Sequence, residues 1–165
     1  MGDQIRNATA ADLPAIVEIY NAAIPGRMAT ADTEFVSVDA RREWFSQHDP
    51  SRRPLWALER SGRLVAWLSF ESFYGRPAYA STAELSVYVA TTAHRSGAGS
   101  TLLTHAIERA PDLGIETLLG FIFGHNSPSL TLFRGHGFEQ WAHLPGVAVL
   151  DGVKRDLLIL GRRVP

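Results

Sequence analysis

The run Leu118-Leu119-Gly120-Phe121-Ile122-Phe123 has no polar face. A strand of this kind offers nothing to water, so it belongs in the middle of a sheet covered on both sides. The periodicity elsewhere supplies the cover. Residues 4–8 read as a short strand. Thr9 followed by Asp12 forms a variant capping box, and Leu13, Ile16, Val17, Tyr20 and Ala23 then recur at helical spacing over 12–23. Segment 24–36 is irregular, and 38–47 is a helix carrying Trp44 and Phe45. Strands are expected at 55–60 and 63–73 around Ser61-Gly62, and at 82–90 after the loop Tyr74-Gly75-Arg76-Pro77. A glycine turn at 95–99 opens a helix over 99–110; strand 116–123 and helix 127–135 follow. Strands 138–149 and 153–162 close the chain around Asp151-Gly152. This order predicts one α+β (α/β) domain over 1–165, a mixed, mostly antiparallel sheet flanked by helices.

Composition narrows the functional classes. The 165 residues carry 16 basic and 17 acidic side chains, a formal net charge of -1, so no basic excess points to nucleic acid. The absence of cysteine removes disulfides, thiol nucleophiles and zinc fingers. Six scattered histidines show no i, i+4 pair, so no metal site is expected. No apolar stretch approaches the roughly 18 residues that span a bilayer, and the N-terminus lacks the apolar core of a signal peptide. A soluble cytoplasmic protein without membrane partners is the expectation.

Two features carry chemistry. The turn His94-Arg95-Ser96-Gly97-Ala98-Gly99-Ser100 joins a strand to a helix. Glycine permits close approach of a ligand, and the helix start offers unpaired N–H groups to an anion such as a pyrophosphate. A plain strand-to-helix turn accounts for the same residues. The second feature is Glu84. Strand alternation puts Glu84, Ser86 and Tyr88 on one face and Ala83, Leu85, Val87 and Val89 on the other. A carboxylate on a central strand is costly unless it is paired or lines a wet cleft. It is either a buried ion-pair member or a base.

The segments Arg76-Pro77-Ala78-Tyr79, Glu84-Leu85-Ser86-Val87-Tyr88-Val89, Gly97-Ala98-Gly99-Ser100-Thr101-Leu102, Asn126-Ser127-Pro128-Ser129 and Leu132-Phe133-Arg134-Gly135-His136-Gly137-Phe138 occur in this order. With Thr9 to Asn21 they resemble the GNAT N-acetyltransferases, and within them the phosphinothricin/methionine sulfoximine branch. The resemblance implies the GNAT fold and acetyl-CoA as co-substrate. It implies that the pantetheine arm bonds the backbone of Val87, Tyr88 and Val89. The pyrophosphate would lie on Arg95, Ser96, Gly97, Ala98, Gly99 and Ser100, with Asn126 and Ser129 beside the pantetheine. It further implies a small amine acceptor, direct transfer in a ternary complex, and Glu84 as the general base. Arg76 and Tyr79 would border the acceptor, Arg27 is a second candidate for its carboxylate, and Met28 and Thr30 would line the pocket. Phe73 and Tyr74 would supply an aromatic wall. Branch members commonly form homodimers.

Five residues depart from the branch. His94 begins the cofactor motif in place of Arg or Gln. Phe133 stands where relatives place a Tyr or His able to protonate the leaving thiolate. His125 is unusual, and is either an ordinary loop histidine or a substitute proton donor. Lys154-Arg155 replaces an aromatic before the retained Asp156. Phe133 and the Lys154-Arg155 change motivate one alternative, a non-catalytic acyl-CoA-binding module; peptide or protein N-acetylation is a third option, which needs an open groove in place of a closed amino-acid pocket.

Overall fold

A computed structural model describes residues 2–165. The chain runs β1 (Gln4–Asn7), α1 (Leu13–Ala23), α2 (Val38–Ser46), β2 (Leu55–Arg60), β3 (Arg63–Ser72), β4 (Thr82–Val89), α3 (Ala98–Arg109), β5 (Thr117–Phe123), α4 (Ser127–Gly135), β6 (Glu139–Leu150) and β7 (Val153–Arg163). The seven strands form one sheet in the order β1-β2-β3-β4-β5-β7-β6. Only β4 and β5 pair in parallel; every other neighbour is antiparallel. The mixed, mostly antiparallel sheet flanked by helices is therefore observed, with element ends within two residues of expectation.

Local chemistry explains the elements. The backbone N–H of Thr9 donates to the Asp12 carboxylate at 2.7 Å, which fixes the entry to α1. Asp12 also takes two hydrogen bonds from Arg6, at 2.7 and 2.9 Å, and Arg6 reaches Glu59 on β2. The start of the first helix is thus tied to the sheet edge. These contacts hold the Asp12 carboxyl well below the usual range, at about 2. Asn126 accepts from the Ser129 N–H at the head of α4, with Pro128 inside its first turn.

Two cores lie on opposite sheet faces. On one, Leu102, Leu103 and Ala106 of α3 and Leu130 and Phe133 of α4 pack on Leu58, Leu68, Phe70, Leu85, Leu118 and Leu160. On the other, Ile16, Ile19 and Tyr20 of α1 pack on Leu55 and Trp67, with Trp44 and Phe45 of α2 outside them. Trp67 stacks on Tyr88 at 4.7 Å, and its indole N–H donates to the Ile16 carbonyl at 3.1 Å. The apolar run of β5 is buried at all positions but the half-buried Phe121, as its composition requires. No helix among the described residues is long and apolar enough to cross a membrane.

Candidate active site

The sheet opens at its one parallel junction. β4 and β5 pair from Thr82↔Thr117 to Leu85↔Gly120, and there the pairing stops. Both strands nevertheless run on, to Val89 and to Phe123. The facing edges of β4 and β5 beyond that point have no ladder partner in each other. Backbone N–H and C=O groups left this way need a partner, and an extended amide-bearing ligand supplies one. This is the separation expected around Val87, Tyr88 and Val89.

Next to the opening is the N-terminus of α3. Arg95 takes a left-handed backbone, φ 61°, and Gly97 another, φ 85°. No side chain caps this helix start, so its first N–H groups remain available to an anion. A Cβ on Gly99 would lie 3.2 Å from the Leu132 side chain and 3.7 Å from Val89, so α3 packs closely on β4 and α4 at this position. Ser96 accepts from Arg60 at 2.7 Å, and Arg60 in turn pairs with Asp3. The Ser100 hydroxyl lies 3.1 Å from His136 Nε2 on α4's far end. His94 Nε2 contacts the Val89 carbonyl at 3.0 Å, so the departure at the motif's first position fastens the loop to β4.

A cavity of about 390 Å³ fills the opening. Its walls include Glu84, Ser86 and Tyr88 of β4, Phe121 and Phe123 of β5, Asn126, Ser129 and Phe133 from the start and body of α4, and Val147 and Ala148 of β6. Residues Met28 to Ala31 close it from above. This strap, part of the irregular segment 24–36, is held by its backbone. His125 Nε2 lies 2.7 Å from the Arg27 carbonyl, Asn126 Nδ2 donates to the Met28 carbonyl at 3.1 Å, and the Tyr88 hydroxyl donates to the Ala29 carbonyl at 3.0 Å. The Tyr20 hydroxyl adds a contact to the Thr30 hydroxyl at 2.6 Å.

Glu84 is the one carboxylate on the cavity wall. Burial first, and the nearby Glu71 charge second, push it up to about 7. A carboxyl poised there can accept a proton at neutral pH, as acid–base catalysis requires. It belongs to no ion pair among the described residues. The buried-pair reading of Glu84 therefore has no partner to rest on.

Several expected residues sit elsewhere. Arg27 is committed: Nε pairs with Asp151 at 3.0 Å and Nη1 donates to the Thr33 carbonyl at 2.9 Å. It anchors the strap to the β6–β7 turn and is not on the cavity wall, which corrects the expectation of an acceptor clamp. His125 is likewise outside the cavity wall: Nε2 lies against the strap, and Nδ1 is buried with no hydrogen-bond partner among the described residues. Phe133 packs against Gly120, where a Cβ would lie 2.7 Å from its ring, and on Phe138 at 5.0 Å. Lys154 and Arg155 do not line the cavity. Asp156 accepts from the Gly146 N–H at 2.8 Å and pairs with His143, shaping the irregular stretch of β6 that presents Val147 and Ala148.

Arg76 and Tyr79 line a second cavity of about 350 Å³ with Gln47, Arg52, Arg53 and Ser72. It lies at the Glu71–Ser72 end of β3, beside the start of β4. Phe73, Tyr74 and Tyr79 cluster there, with Phe73 and Tyr74 centroids 4.3 Å apart, and Phe73 is 6.4 Å from Phe121 of the first cavity. None of Phe73, Tyr74, Arg76 and Tyr79 is on the wall of the cavity that holds Glu84. Two residues that sequence reasoning passed over touch the site from outside the cavity wall: Tyr20, which steadies the strap, and Glu71, which faces Glu84 across β3 and β4. No cluster of metal-ligating side chains occurs among the described residues.

The model of the acetyltransferase (GNAT) family matches residues 13–138. A Bacillus subtilis protein, YwnH, provisionally named a phosphinothricin acetyltransferase, is 52% identical, covering 97% of this chain and 98% of its own. A Pseudomonas aeruginosa L-methionine sulfoximine/L-methionine sulfone acetyltransferase is 32% identical over 97% of this chain and 94% of its own. The crystal structure of a Sinorhizobium meliloti phosphinothricin acetyltransferase in complex with acetyl-CoA superposes with a TM-score of 0.93 at 27% identity, covering 99% of this chain and 89% of that one.

Proposed function

Since the chain belongs to the GNAT acetyltransferase family, and is an acetyl-CoA-dependent N-acetyltransferase of a small-molecule amine, we propose that its acceptor is a free amino acid or close analogue and that Glu84 is the general base. The observation that carries the assignment of the site is the strand separation after Leu85 and Gly120, with a lone raised carboxylate on its wall. The pantetheine arm bonds the free edge of Val87 to Val89. The pyrophosphate lies on the N–H groups from Arg95 to Ser100. Asn126 and Ser129 border the thioester end, with Asn126 also keeping the strap in place.

Glu84 removes a proton from the acceptor ammonium. The neutral amine then attacks the thioester carbonyl, the C–N bond forms and the C–S bond breaks. Phe133 has no proton to give the thiolate, which leaves water and the cavity hydroxyls of Thr30, Ser86, Tyr88 and Ser129 as donors. The acceptor class rests on the relatives' named substrates, all amino-acid analogues, and on Arg76, which has no ion-pair partner among the described residues. A guanidinium there can hold a carboxylate with two hydrogen bonds. Thiol-release turnover with acetyl-CoA against amino acids, polyamines and peptides tests the class; preference for peptides or polyamines refutes it. Arg76→Ala is expected to raise the KM of carboxylate-bearing acceptors about tenfold or more, as loss of a charged hydrogen bond does, and to spare amines without a carboxylate.

The same proposal includes a homodimer in the cytoplasm. Support comes from β6, a sheet-edge strand that exposes Trp141, Val147 and Val149 beside Val153 of β7. Apolar side chains in such number on an edge are commonly covered. Light scattering is expected to give twice the 18.1 kDa chain mass at micromolar concentration; a monomer refutes the dimer and leaves the chemistry standing.

A further inference from the structure

Glu71 of β3 is the direct cross-strand partner of Glu84. Opposed residues on an antiparallel pair project to the same face, with Cβ atoms about 4.5–5.5 Å apart. The next rungs are Ser69 opposite Ser86 and Trp67 opposite Tyr88. The column runs from two carboxylates, through two hydroxyls, to the stacked aromatic pair beneath α1. The Ser69 hydroxyl is buried and has no hydrogen-bond partner.

Like charges directly opposite each other are unfavourable, so a fold that sets two acids on one rung needs a reason or a cation. No ion pair among the described residues includes either carboxylate. The titratable groups facing Glu71 are Glu84 and, further along the column, Tyr88 from β4, and His48 from the end of α2. His48 lies with Nδ1 3.0 Å from the Trp44 carbonyl, while its Nε2 is buried and unpartnered. Burial pushes its pKa down. His48 is thus held away from its charged form, while Arg41 of α2 sits at the far end of the column, over the Tyr20 and Trp44 rings and 3.8 Å from Asp32, and forms no ion pair with Glu71.

We propose that Glu71 and Glu84 work as a carboxylate pair, in which Glu84 takes the acceptor's proton and Glu71 is a positioning residue that acts through Glu84. The proposal rests on Glu84 as the base. In the step itself the ammonium N–H bond breaks and an O–H bond forms on Glu84. The pair then holds one proton and one negative charge in place of two opposed charges. Relief of that repulsion favours proton removal from the ammonium. The acid returns the proton to water after the product leaves.

The sign of the test follows. With Glu71 neutralised, burial alone holds Glu84 up, so the base titrates at lower pH and binds its proton less tightly. Glu71→Gln is expected to move the acid limb of kcat/KM down by at least about half a unit, a threefold change in the ionised fraction on the limb. The same acceptor is used throughout, so its own ionisation contributes equally. Carbon-13 NMR of the glutamate carboxyls, with the Glu84 signal identified by its loss in Glu84→Gln, should show the same displacement without any turnover. If Glu71→Gln does not fold, Glu71→Ser removes the same charge and carries both measurements. An unmoved limb and an unmoved Glu84 titration overturn the pair while leaving the base in place. Near-normal turnover of Glu84→Gln instead overturns the base reading itself, a separate outcome.

Discussion

Glu84→Gln is expected to lower turnover by roughly 10²–10⁴, the usual contribution of a positioned acid–base group, with acetyl-CoA affinity nearly unchanged. Glutamine keeps the shape and loses the basicity. The pH dependence carries a sign. In the wild type Glu84 is protonated below about 7 and cannot accept a proton there, so activity rises with pH through that region. The deficit of the variant should shrink at still higher pH, because the acceptor then arrives with its amine already neutral. Stability provides the control. A carboxyl raised by folding binds a proton that the unfolded chain has released, so wild-type stability falls as pH rises from the ordinary glutamate range to about 7. The glutamine has no such dependence. Thermal denaturation at pH 8 should therefore find the variant at least as stable as the wild type, and a rate loss there is chemical. Near-wild-type turnover at pH 7 would leave Glu84 a structural carboxylate.

The second large effect concerns the cofactor loop. Wild-type protein should gain thermal stability with acetyl-CoA, by about 2.7 kcal/mol at a hundredfold excess over Kd. Gly99→Asp should abolish this gain. Its Cβ would enter at 3.2 Å from Leu132, and its carboxylate would stand beside the N–H groups proposed to receive the pyrophosphate. Both effects oppose binding, one by displacement of α3 and the other by like charge. Thermal shift with millimolar acetyl-CoA reads the outcome. A normal shift in the variant would place the pyrophosphate elsewhere, and no shift in the wild type would contradict the assigned site.

Much of this was legible in the sequence because it depends on local spacing. The β5 run declared its own burial, and Thr9 with Asp12 marked the start of the first helix. Glu84 could be placed on the face of Ser86 and Tyr88 from alternation alone. Glu71 could not be matched to it. The two strands are joined by the connection 73–81, which sets no tight-turn geometry, so the register that stacks Trp67 on Tyr88 cannot be read from the connection. The strap was equally opaque. Its anchors come from Tyr20, Tyr88, His125 and Asn126, far apart in sequence; the last three grip carbonyl groups, which every residue possesses, and Tyr20 meets the Thr30 hydroxyl. Arg27 illustrates the same limit. Residue type suggested an anion clamp, and only the approach of Asp151, 124 positions along the chain, shows the charge already matched.

The strap is bonded to both sides of the opening: Tyr88 belongs to β4, while His125 and Asn126 follow directly on β5. It therefore acts as a crossbar between two strands that no longer hold each other. Any ligand that alters the gap between them changes the tension on three consecutive carbonyl groups above the acceptor's seat. Coupling of this kind is reciprocal by thermodynamic necessity: whatever factor acetyl-CoA contributes to acceptor affinity, the acceptor returns to acetyl-CoA.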